Sequence, residues 1–232
     1  MLLSVIYPVY NEQNALRSAI HRSVAALQEL GIEWEIVIVD DGSTDATGRV
    51  AKQAAREFPR IKLVTNPINQ GQGFSIARGV QAASGNVVIH NGADYPFDLR
   101  DLRLILPLIE YADIVVAERT AWPGYSPFRR IVSWLNALLV RLLFRLPVRD
   151  CNFVQLYRKP VWDAIPVTVQ YAAMLPVEKL VGARARGYKI ARVHVPYHGR
   201  QEGAATGGIA GVGKLGLLWR STADLLRYWL RH

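Results

Sequence analysis

The chain of 232 residues contains 28 Lys or Arg and 19 Asp or Glu residues, which gives a formal net charge of +9. Half of its residues are hydrophobic and a fifth are charged, a composition that excludes collagen-like, intrinsically disordered and disulfide-scaffold proteins. It has no run of about 18 uncharged apolar residues and no basic segment of the secretory type, so we expect a cytoplasmic globular protein without a membrane span. The single cysteine, Cys151, has no partner for a disulfide, and we expect a buried thiol.

The charge is divided unevenly along the chain. Residues 1–119 carry 11 basic and 14 acidic side chains, whereas residues 120–232 carry 17 basic and 5 acidic ones. A basic half with apolar helical segments suits an anionic lipid surface or a phosphate-bearing ligand. Nucleic acid is the competing partner, but the sequence has no zinc-finger spacing, RNA-binding sheet motif or dense Lys/Arg tract, so we expect no nucleic-acid binding.

The first half alternates five short β-rich runs with four helical patterns, which predicts a doubly wound parallel sheet covered by helices. The predicted strands are 2–7, 35–39, 61–65, 86–89 and 113–117, and the predicted helices are 15–30, 44–58, 74–83 and 99–111. Open sheets of this kind bind ligands beyond the carboxyl ends of their strands, where this chain places polar and acidic residues. These are Asn11 and Glu12, Asp40 and Asp41, residues 69–73, and Asp94.

Two amphipathic segments distinguish the second half. One predicted helix, 129–146, follows a stretch rich in Pro, Gly and aromatic residues, and another, 215–230, follows the Gly-rich segment 202–213. Both carry leucines and tryptophans on one side, flanked by arginines. Such a helix can lie in the interface of a bilayer, but it can equally pack against the core of its own protein. The pattern leaves both alternatives open.

Asp40 and Asp41 form a pair of carboxylates between a predicted strand and a predicted helix, which Ser43 or Thr44 can cap. One aspartate could serve as a cap while the other is solvated, but paired carboxylates at this point of a sheet more often hold hydroxyl groups or the edge of a base. The run 69–73 forms a turn into a helix N-terminus, a geometry that can receive phosphate. No G-x-G-x-x-G fingerprint follows the first strand, which disfavours a dehydrogenase.

The chain contains a series of motifs that resemble, in the same order, those of the family 2 glycosyltransferases of GT-A fold. Within that family they are most similar to the dolichyl-phosphate mannose synthase-like branch, whose members act on polyprenyl phosphates. The resemblance covers about residues 3–207, which is most of the chain. Each motif is modestly specific, whereas their order is strong support. The motifs are IYPVYNE at 6–12, VIVDDGSTD at 37–45, NQGQG at 69–73, AASGN at 82–86, ADIVV at 112–116 with Arg119, RDCNF at 149–153, PVE at 176–178, and the closing segment 187–200.

The resemblance implies an α/β fold of GT-A type, with a doubly wound, mostly parallel sheet, flanking helices and a basic amphipathic C-terminal part. Residues 1–207 would form the glycosyltransferase domain, with a nucleotide-binding half at 1–119 and an acceptor half at 120–207. Residues 208–232 would form an amphipathic C-terminal helix able to associate with a membrane. The implied activity is inverting transfer of a sugar from a UDP- or GDP-sugar to a polyprenyl phosphate, by an enzyme peripheral to the cytoplasmic face of the inner membrane. An anionic membrane surface is the implied partner, and a homo-oligomer is left open.

The resemblance also implies roles for single residues. Asp150 corresponds to a proposed base or orienter of the acceptor, and Asp94 to a ligand of the Mg²⁺ or Mn²⁺ that neutralises the leaving diphosphate. Glu178 lies on the family's acidic helix, although a surface charge is the simpler interpretation. Pro8, Tyr10, Glu12, Asp40 and Asp41 would bind the nucleoside, Gln72 would face the diphosphate, and Arg119, Arg130 and Arg200 would grip phosphate oxygens.

Two departures from the family pattern bear on that site. Gly92 stands where the family's Asp-x-Asp motif has its first aspartate, so Asp94 is the remaining carboxylate, although Asn91 can offer an oxygen. Gln72 stands where relatives often have lysine. These departures keep a non-catalytic sugar-nucleotide-binding protein open, and an enzyme of the same fold with a saccharide or protein hydroxyl as acceptor is a further alternative.

Overall fold

The computed structural model describes residues 1–121, 127–151, 153–168 and 174–197. The strands are β1 (Leu2–Val9), β2 (Glu33–Asp40), β3 (Ile61–Thr65), β4 (Val87–His90), β5 (Ile114–Arg119), β6 (Val154–Arg158) and β7 (Ile190–Val195). The α-helices are α1 (Leu16–Glu29), α2 (Thr47–Glu57), α3 (Gln72–Ala82), α4 (Leu102–Ile105), α5 (Pro127–Phe144), α6 (Lys159–Ala164) and α7 (Leu175–Ala185). Two 3₁₀ segments, Leu99–Asp101 and Leu106–Glu110, flank α4.

The strands form one sheet in the order β3-β2-β1-β4-β6-β5-β7. Strand β1 pairs in parallel with β2 and β4, β2 with β3, and β5 with β7, whereas β6 is antiparallel to both of its neighbours. The strands other than β6 therefore end at one edge of the sheet, called the carboxyl edge below, and β6 begins there. The loops of that edge carry the predicted site.

Helices cover both faces of the sheet, which explains why β1 and β2 are almost continuously buried. Side chains from α1, α2 and the 99–110 segment pack on one face, where Val5 and Tyr7 point. Side chains from α3, α5, α6 and α7 pack on the other, where Ile6 points. Helix α3 approaches the sheet so closely that a Cβ atom at Gly79 would collide with Ile6 and Val39.

The five predicted strands of the first half are confirmed, with ends shifted by up to two residues. The sheet contains a further strand, β6, between the last two of them. The motif segment 149–153 leads directly into β6, a run of only five residues, VQLYR, that was not among the predicted strands. The predicted helix 99–111 is divided into short segments, since Pro107 has no N–H for an i−4 bond.

In the second half, the predicted helix 129–146 is confirmed as α5, and the closing motif segment 187–200 contains β7. The Gly-rich segment 202–213, the predicted helix 215–230 and the boundary at residues 207 and 208 lie outside the described residues. Within the part of the chain that is described, no helix combines the length and apolar character needed to cross a membrane. Cys151 is buried, as predicted.

Candidate functional site

The loop after β1 is held by the loop after β2 at the carboxyl edge. Asn11, with φ +55°, accepts a hydrogen bond at Oδ1 from the backbone N–H of Thr44 at 2.9 Å, and its own N–H donates to Ser43 Oγ at 3.1 Å. The expectation that Ser43 or Thr44 caps α2 is wrong, because this helix begins later, at Thr47, whose N–H donates to Asp45 Oδ1 at 2.8 Å. The two hydroxyl residues instead shape the first loop.

Asp40 and Asp41 are both buried, so the alternative in which one of them is a solvated charge is wrong. Asp40 Oδ1 accepts the N–H of Ser43 at 3.0 Å. A Cβ atom at Gly48 would stand 2.7 Å from Asp40 Oδ2, so the glycine leaves room for this carboxylate beside α2. The carboxylate closes the turn that follows β2.

Asp41 organises the loop between β3 and α3. Its Oδ1 accepts hydrogen bonds from Asn66 Nδ2 at 2.7 Å and from the N–H of Gln70 at 3.0 Å, and its Oδ2 accepts the N–H of Gly71 at 2.8 Å. Gly71 has φ +94°, a conformation that favours glycine, and directly precedes α3. The loop predicted to receive phosphate is thus fixed to the end of β2 by one buried carboxylate.

The other residues predicted for the nucleotide differ in exposure. Pro8 is buried within β1, and Glu12 is half-buried with its N–H bonded to Thr47 Oγ1 at 2.7 Å. Tyr10 is 38% exposed at the rim, and Gln72 is exposed on the first turn of α3. Because β1, β2 and β3 are neighbours, these residues border one region, with Tyr10 and Gln72 open to a ligand.

Asp94 lies on the loop after β4, at the same edge. Its Oδ1 occupies the space that a Cβ atom on residue 92 would need, so glycine at that position leaves room for the carboxylate. The Asn91 side chain serves the loop itself: its Oδ1 accepts the N–H of Gly92 at 3.0 Å, and its Nδ2 donates to Phe97 O at 2.9 Å. Asn91 is therefore engaged in shaping the loop.

No cluster of three or more His, Cys, Asp or Glu side chains in the described part of the chain could hold a metal ion. Mg²⁺ and similar cations are often held by one or two carboxylates together with substrate phosphates and water. The residues present fit that mode, with Asp94 as the protein's carboxylate, and do not form a complete cage. Burial lowers the pKa of His90, at the end of β4, to about 4, so its imidazole is neutral at neutral pH.

Arg119 and Asp150 form a two-bond ion pair between the end of β5 and the loop before β6. Arg119 Nε lies 2.6 Å from Asp150 Oδ2 and its Nη2 lies 2.8 Å from Oδ1, and the two side chains are only 9% and 7% exposed. The guanidinium carbon stands 5.0 Å from the centre of the Phe153 ring and 5.4 Å from that of Tyr197. Two residues predicted separately, one for binding and one for catalysis, are one unit in the structure.

The side chains of the other two predicted arginines, Arg130 and Arg200, are not among the described parts of the structure. Arg130 belongs to the first turns of α5, whose side chains are not described, and Arg200 lies outside the described residues. Further along α5 the surface is both apolar and basic. Trp134 and Leu142 are 63% and 68% exposed, and Arg141 on the helix and Arg145 directly after it are also exposed.

On α7, Glu178 is buried, so its interpretation as a surface charge is wrong. Its carboxylate accepts the N–H of Thr168 at 2.9 Å, which fixes the chain after α6. The neighbouring Lys179 was not among the predicted site residues and is also buried. Its Nζ donates a hydrogen bond to the backbone carbonyl of Trp162 at 2.8 Å and lies 4.1 Å from the centre of the Trp162 ring. Burial lowers the pKa of Lys179 to about 8.

Comparison with known proteins points to one family. Residues 4–161 match the model of a family described as glycosyl transferase family 2. Curated relatives include the undecaprenyl-phosphate 4-deoxy-4-formamido-L-arabinose transferases of Salmonella paratyphi A and Salmonella dublin, each 31% identical over 186 residues. The aligned region covers 78% of this chain and 56% of each relative, so the chain spans little more than half of their length.

Solved structures of similar fold include glucosyl-3-phosphoglycerate synthase from Mycobacterium tuberculosis. Its complex with Mn²⁺, uridine diphosphate and phosphoglyceric acid aligns with a TM-score of 0.73 at 20% identity, over 98% of this chain and 78% of that chain. Its complex with Mg²⁺ and uridine diphosphate aligns with a TM-score of 0.72 at 19% identity, over 98% and 79%. This likeness establishes the fold, which is the GT-A fold expected from the motifs.

Proposed function

Because the chain belongs to glycosyltransferase family 2, we propose that it transfers a sugar from a nucleoside diphosphate sugar to the phosphate of a polyprenyl phosphate. The observation that carries this proposal is the placement of two different polar units at the carboxyl edge of one sheet. One unit, around Asp40, Asp41 and Asp94, follows β2 and β4. The other, the Arg119–Asp150 pair, joins β5 to the start of β6.

The first unit is the proposed donor site. Tyr10 offers an exposed ring for stacking on a base, and the buried Asp40 and Asp41 hold the loops that surround it. Gln72 at the start of α3 can donate to the diphosphate, whose negative charge the N-terminus of the helix favours. Asp94 would hold Mg²⁺ or Mn²⁺ together with the diphosphate oxygens, and the cation would supply charge neutralisation as the leaving group departs.

The second unit is the proposed site of the acceptor phosphate. A guanidinium binds phosphate oxygens through its N–H groups, and the proposed ligand is the guanidinium of Arg119, whose Nε and Nη2 are bound to Asp150 at the end of β5. Arg130 and Arg200 are proposed to contribute to the same phosphate site. The basic second half of the chain, with 17 basic and 5 acidic residues after position 119, favours an anionic acceptor by long-range attraction.

The proposed reaction is a single displacement. An oxygen of the acceptor phosphate attacks the anomeric carbon, and the bond from that carbon to the β-phosphate oxygen breaks, so that the configuration inverts and the nucleoside diphosphate leaves. A phosphate monoester is ionised at neutral pH, with a second pKa of about 6. The nucleophile therefore has to be held in place rather than deprotonated. This requirement agrees with an active site organised by arginines.

We further propose that the protein works at an anionic membrane surface. Helix α5 carries exposed Trp134, Leu135 and Leu142 together with exposed Arg141, and the exposed Arg145 directly follows the helix. Tryptophan and leucine side chains can enter the interface of a bilayer while arginines contact anionic headgroups.

A matrix of donors and acceptors tests the proposed function. Purified protein is incubated with radiolabelled UDP- or GDP-sugars and Mn²⁺, with either undecaprenyl phosphate in detergent or soluble saccharides as acceptor. We expect label in the organic phase, only when the lipid phosphate is present. Label transferred to saccharides would favour the same-fold enzyme with a hydroxyl acceptor, and donor binding without any transfer would favour a non-catalytic protein.

A further inference from the structure

We propose that Asp150 is a positioning residue that acts on transfer only through Arg119, whose guanidinium it fixes in one plane at the site of the acceptor phosphate. This inference rests on the proposed function and deepens it. In this inference, the loop before β6 orients the arginine that binds the acceptor phosphate. A role of Asp150 as a base that touches the nucleophile is the competing possibility.

The geometry of the pair is the first reason. Both oxygens of Asp150 are engaged by Arg119, at 2.6 Å and 2.8 Å, and the backbone N–H of Arg119 lies 3.4 Å from Oδ2. Parallel bonds of this kind fix the plane of a guanidinium as well as its position. The pair is nearly buried, with 9% and 7% of the two side chains exposed.

The surroundings of Arg119 also limit its orientation. The Phe153 and Tyr197 rings meet edge to face with centroids 5.7 Å apart, and the guanidinium carbon lies within 5.4 Å of both ring centres. A guanidinium beside aromatic rings is held by cation–π attraction. Rings and carboxylate together leave Arg119 one arrangement, which lowers the entropy lost when a phosphate binds.

The loop of Asp150 is itself secured at two further points. Glu118, the neighbour of Arg119 on β5, accepts the N–H of Arg149 at Oε1, 2.6 Å away. Gln155 on β6 donates from Nε2 to the carbonyl of Cys151, also at 2.6 Å. The residues on either side of Asp150 are thus fixed to β5 and β6. Such support suits a carboxylate that must hold a partner in constant geometry.

A double-mutant cycle separates the two roles. Wild type, Asp150→Asn, Arg119→Lys and the double variant are compared in acceptor KM, kcat and the pH dependence of kcat, and in calorimetric binding of farnesyl phosphate. We expect Asp150→Asn to raise the acceptor KM and the dissociation constant of farnesyl phosphate about 10- to 100-fold. We expect kcat to change much less, and the acidic limb of its pH profile to remain, because the acceptor phosphate with a pKa of about 6 sets it.

In the Arg119→Lys background, Asp150→Asn should have an effect below about threefold, because the fork that Asp150 orients is gone. Glu35→Gln is the matched control, since Glu35 is also a buried carboxylate paired with a cation, Lys62, but lies at the opposite edge of the sheet. Glu35→Gln should leave the acceptor KM and the dissociation constant of farnesyl phosphate unchanged. If Asp150→Asn fails to fold, Phe153→Leu replaces it and should raise the same two constants with kcat retained.

A fall in kcat of about 100-fold or more in both backgrounds, at unchanged KM and with loss of the acidic limb, is the signature of a base and would overturn the inference. If wild-type protein transfers sugar to the lipid, but Asp150→Asn raises the acceptor KM by the same factor in the wild-type and Arg119→Lys backgrounds, this inference alone is overturned. Wild-type protein that neither transfers sugar nor binds farnesyl phosphate would overturn the proposed function together with it.

Discussion

The Asp41 carboxylate accepts a hydrogen bond from Asn66 at 2.7 Å and thereby joins the end of β2 to the loop after β3. The same carboxylate accepts two backbone N–H groups of that loop, from Gln70 and Gly71. A single side chain thus determines the shape of the segment that leads into α3. The proposed donor site depends on this connection more than on any direct contact of Asp41 with a ligand.

Replacing Asp41 by alanine should weaken both the fold and the donor site. The change removes the acceptor of the Asn66 amide and of the Gln70 N–H, at a cost of about 1 to 3 kcal/mol for each that is not reached by water, whereas the Gly71 N–H keeps its hydrogen bond to Asn69 Oδ1 at 3.1 Å. We expect a lower free energy of unfolding in urea and at least a tenfold weaker binding of UDP or GDP in calorimetry. Asp113→Ala is the control, because Asp113 accepts the N–H of Lys189 at the opposite edge. Equal nucleotide affinity in the two variants would contradict the assignment.

Asp94 should be required for the cation that accompanies the donor. Because Asp94 is the carboxylate of this loop that can meet a diphosphate-bound cation, Asp94→Asn should weaken Mn²⁺ binding in the presence of nucleotide. Gly92→Ala should act in the same direction, since its Cβ would collide with the Asp94 carboxylate. Electron paramagnetic resonance of Mn²⁺, with and without nucleoside diphosphate, measures both. Asp98→Asn on the same loop is the control; an equal loss there, or none in Asp94→Asn, would refute the site.

Glu35 should stabilise the fold without affecting the chemistry. Burial acts to raise its pKa, but hydrogen bonds from Lys62, Ser4 and Ser84 outweigh burial, and the pKa lies below the ordinary value of 4.5. A lowered pKa means that the ionised form stabilises the fold above about pH 4.5 and that this contribution is lost as the pH falls further. Glu35→Gln should therefore lose about 1 to 3 kcal/mol at neutral pH and progressively less below pH 4.5. A difference that is the same at pH 3 and pH 7 would contradict this.

Cys151 should be unreactive in the folded protein. Burial, with a further contribution from the charge of Asp150, raises the pKa of its thiol to about 12. Because the thiolate is the reactive form, iodoacetamide at pH 8 should label the folded protein very slowly and the urea-unfolded protein at the rate of a free thiol. Mass spectrometry of the labelled protein measures both rates. Rapid labelling of the folded protein would show that the loop next to Asp150 is open.

The exposed side of α5 should bind anionic vesicles. Replacing both Trp134 and Leu142 by serine removes two exposed apolar side chains, each worth about 1.5 to 3 kcal/mol when fully buried, so we expect at least a tenfold loss of binding to phosphatidylglycerol vesicles in sedimentation. The fold should remain, because both side chains are exposed. Tyr111→Ser, with 78% exposure before β5, should bind as wild type does. If the double variant binds the vesicles as strongly as wild type does, the proposal that α5 docks on an anionic membrane is contradicted.

The sequence was sufficient for the first four strands and for the polar ends that meet at one edge. Each of these four strands pairs with another strand that the same pattern predicts, as β1 does with β2 and β4, whereas β5 pairs with β6 and β7. The antiparallel β6 was missed because it is only five residues long and pairs with β4 and β5, which are both distant from it along the chain. Missing β6 also hid the Arg119–Asp150 pair. The two residues are 31 positions apart and meet only because β6 runs beside β5.

Other differences come from side chains whose partners are distant along the chain. Ser43 and Thr44 have the composition of a helix cap, but they bond to the loop after β1, whose position depends on the sheet. Glu178 and Lys179 resemble surface charges in sequence, and their burial depends on the chain after α6 folding over α7. Local patterns could not supply these tertiary contacts.

Oxygen-18 transfer tests the central claim most directly. A sugar nucleotide labelled with ¹⁸O in the bridge between the anomeric carbon and the β-phosphate is incubated with the protein and a polyprenyl phosphate, and both products are analysed by mass spectrometry. Attack of the acceptor phosphate on the anomeric carbon predicts that all of the bridging label remains in the released nucleoside diphosphate. Label in the lipid product, or release of a nucleoside monophosphate, would mean that a sugar phosphate is transferred and would contradict the account.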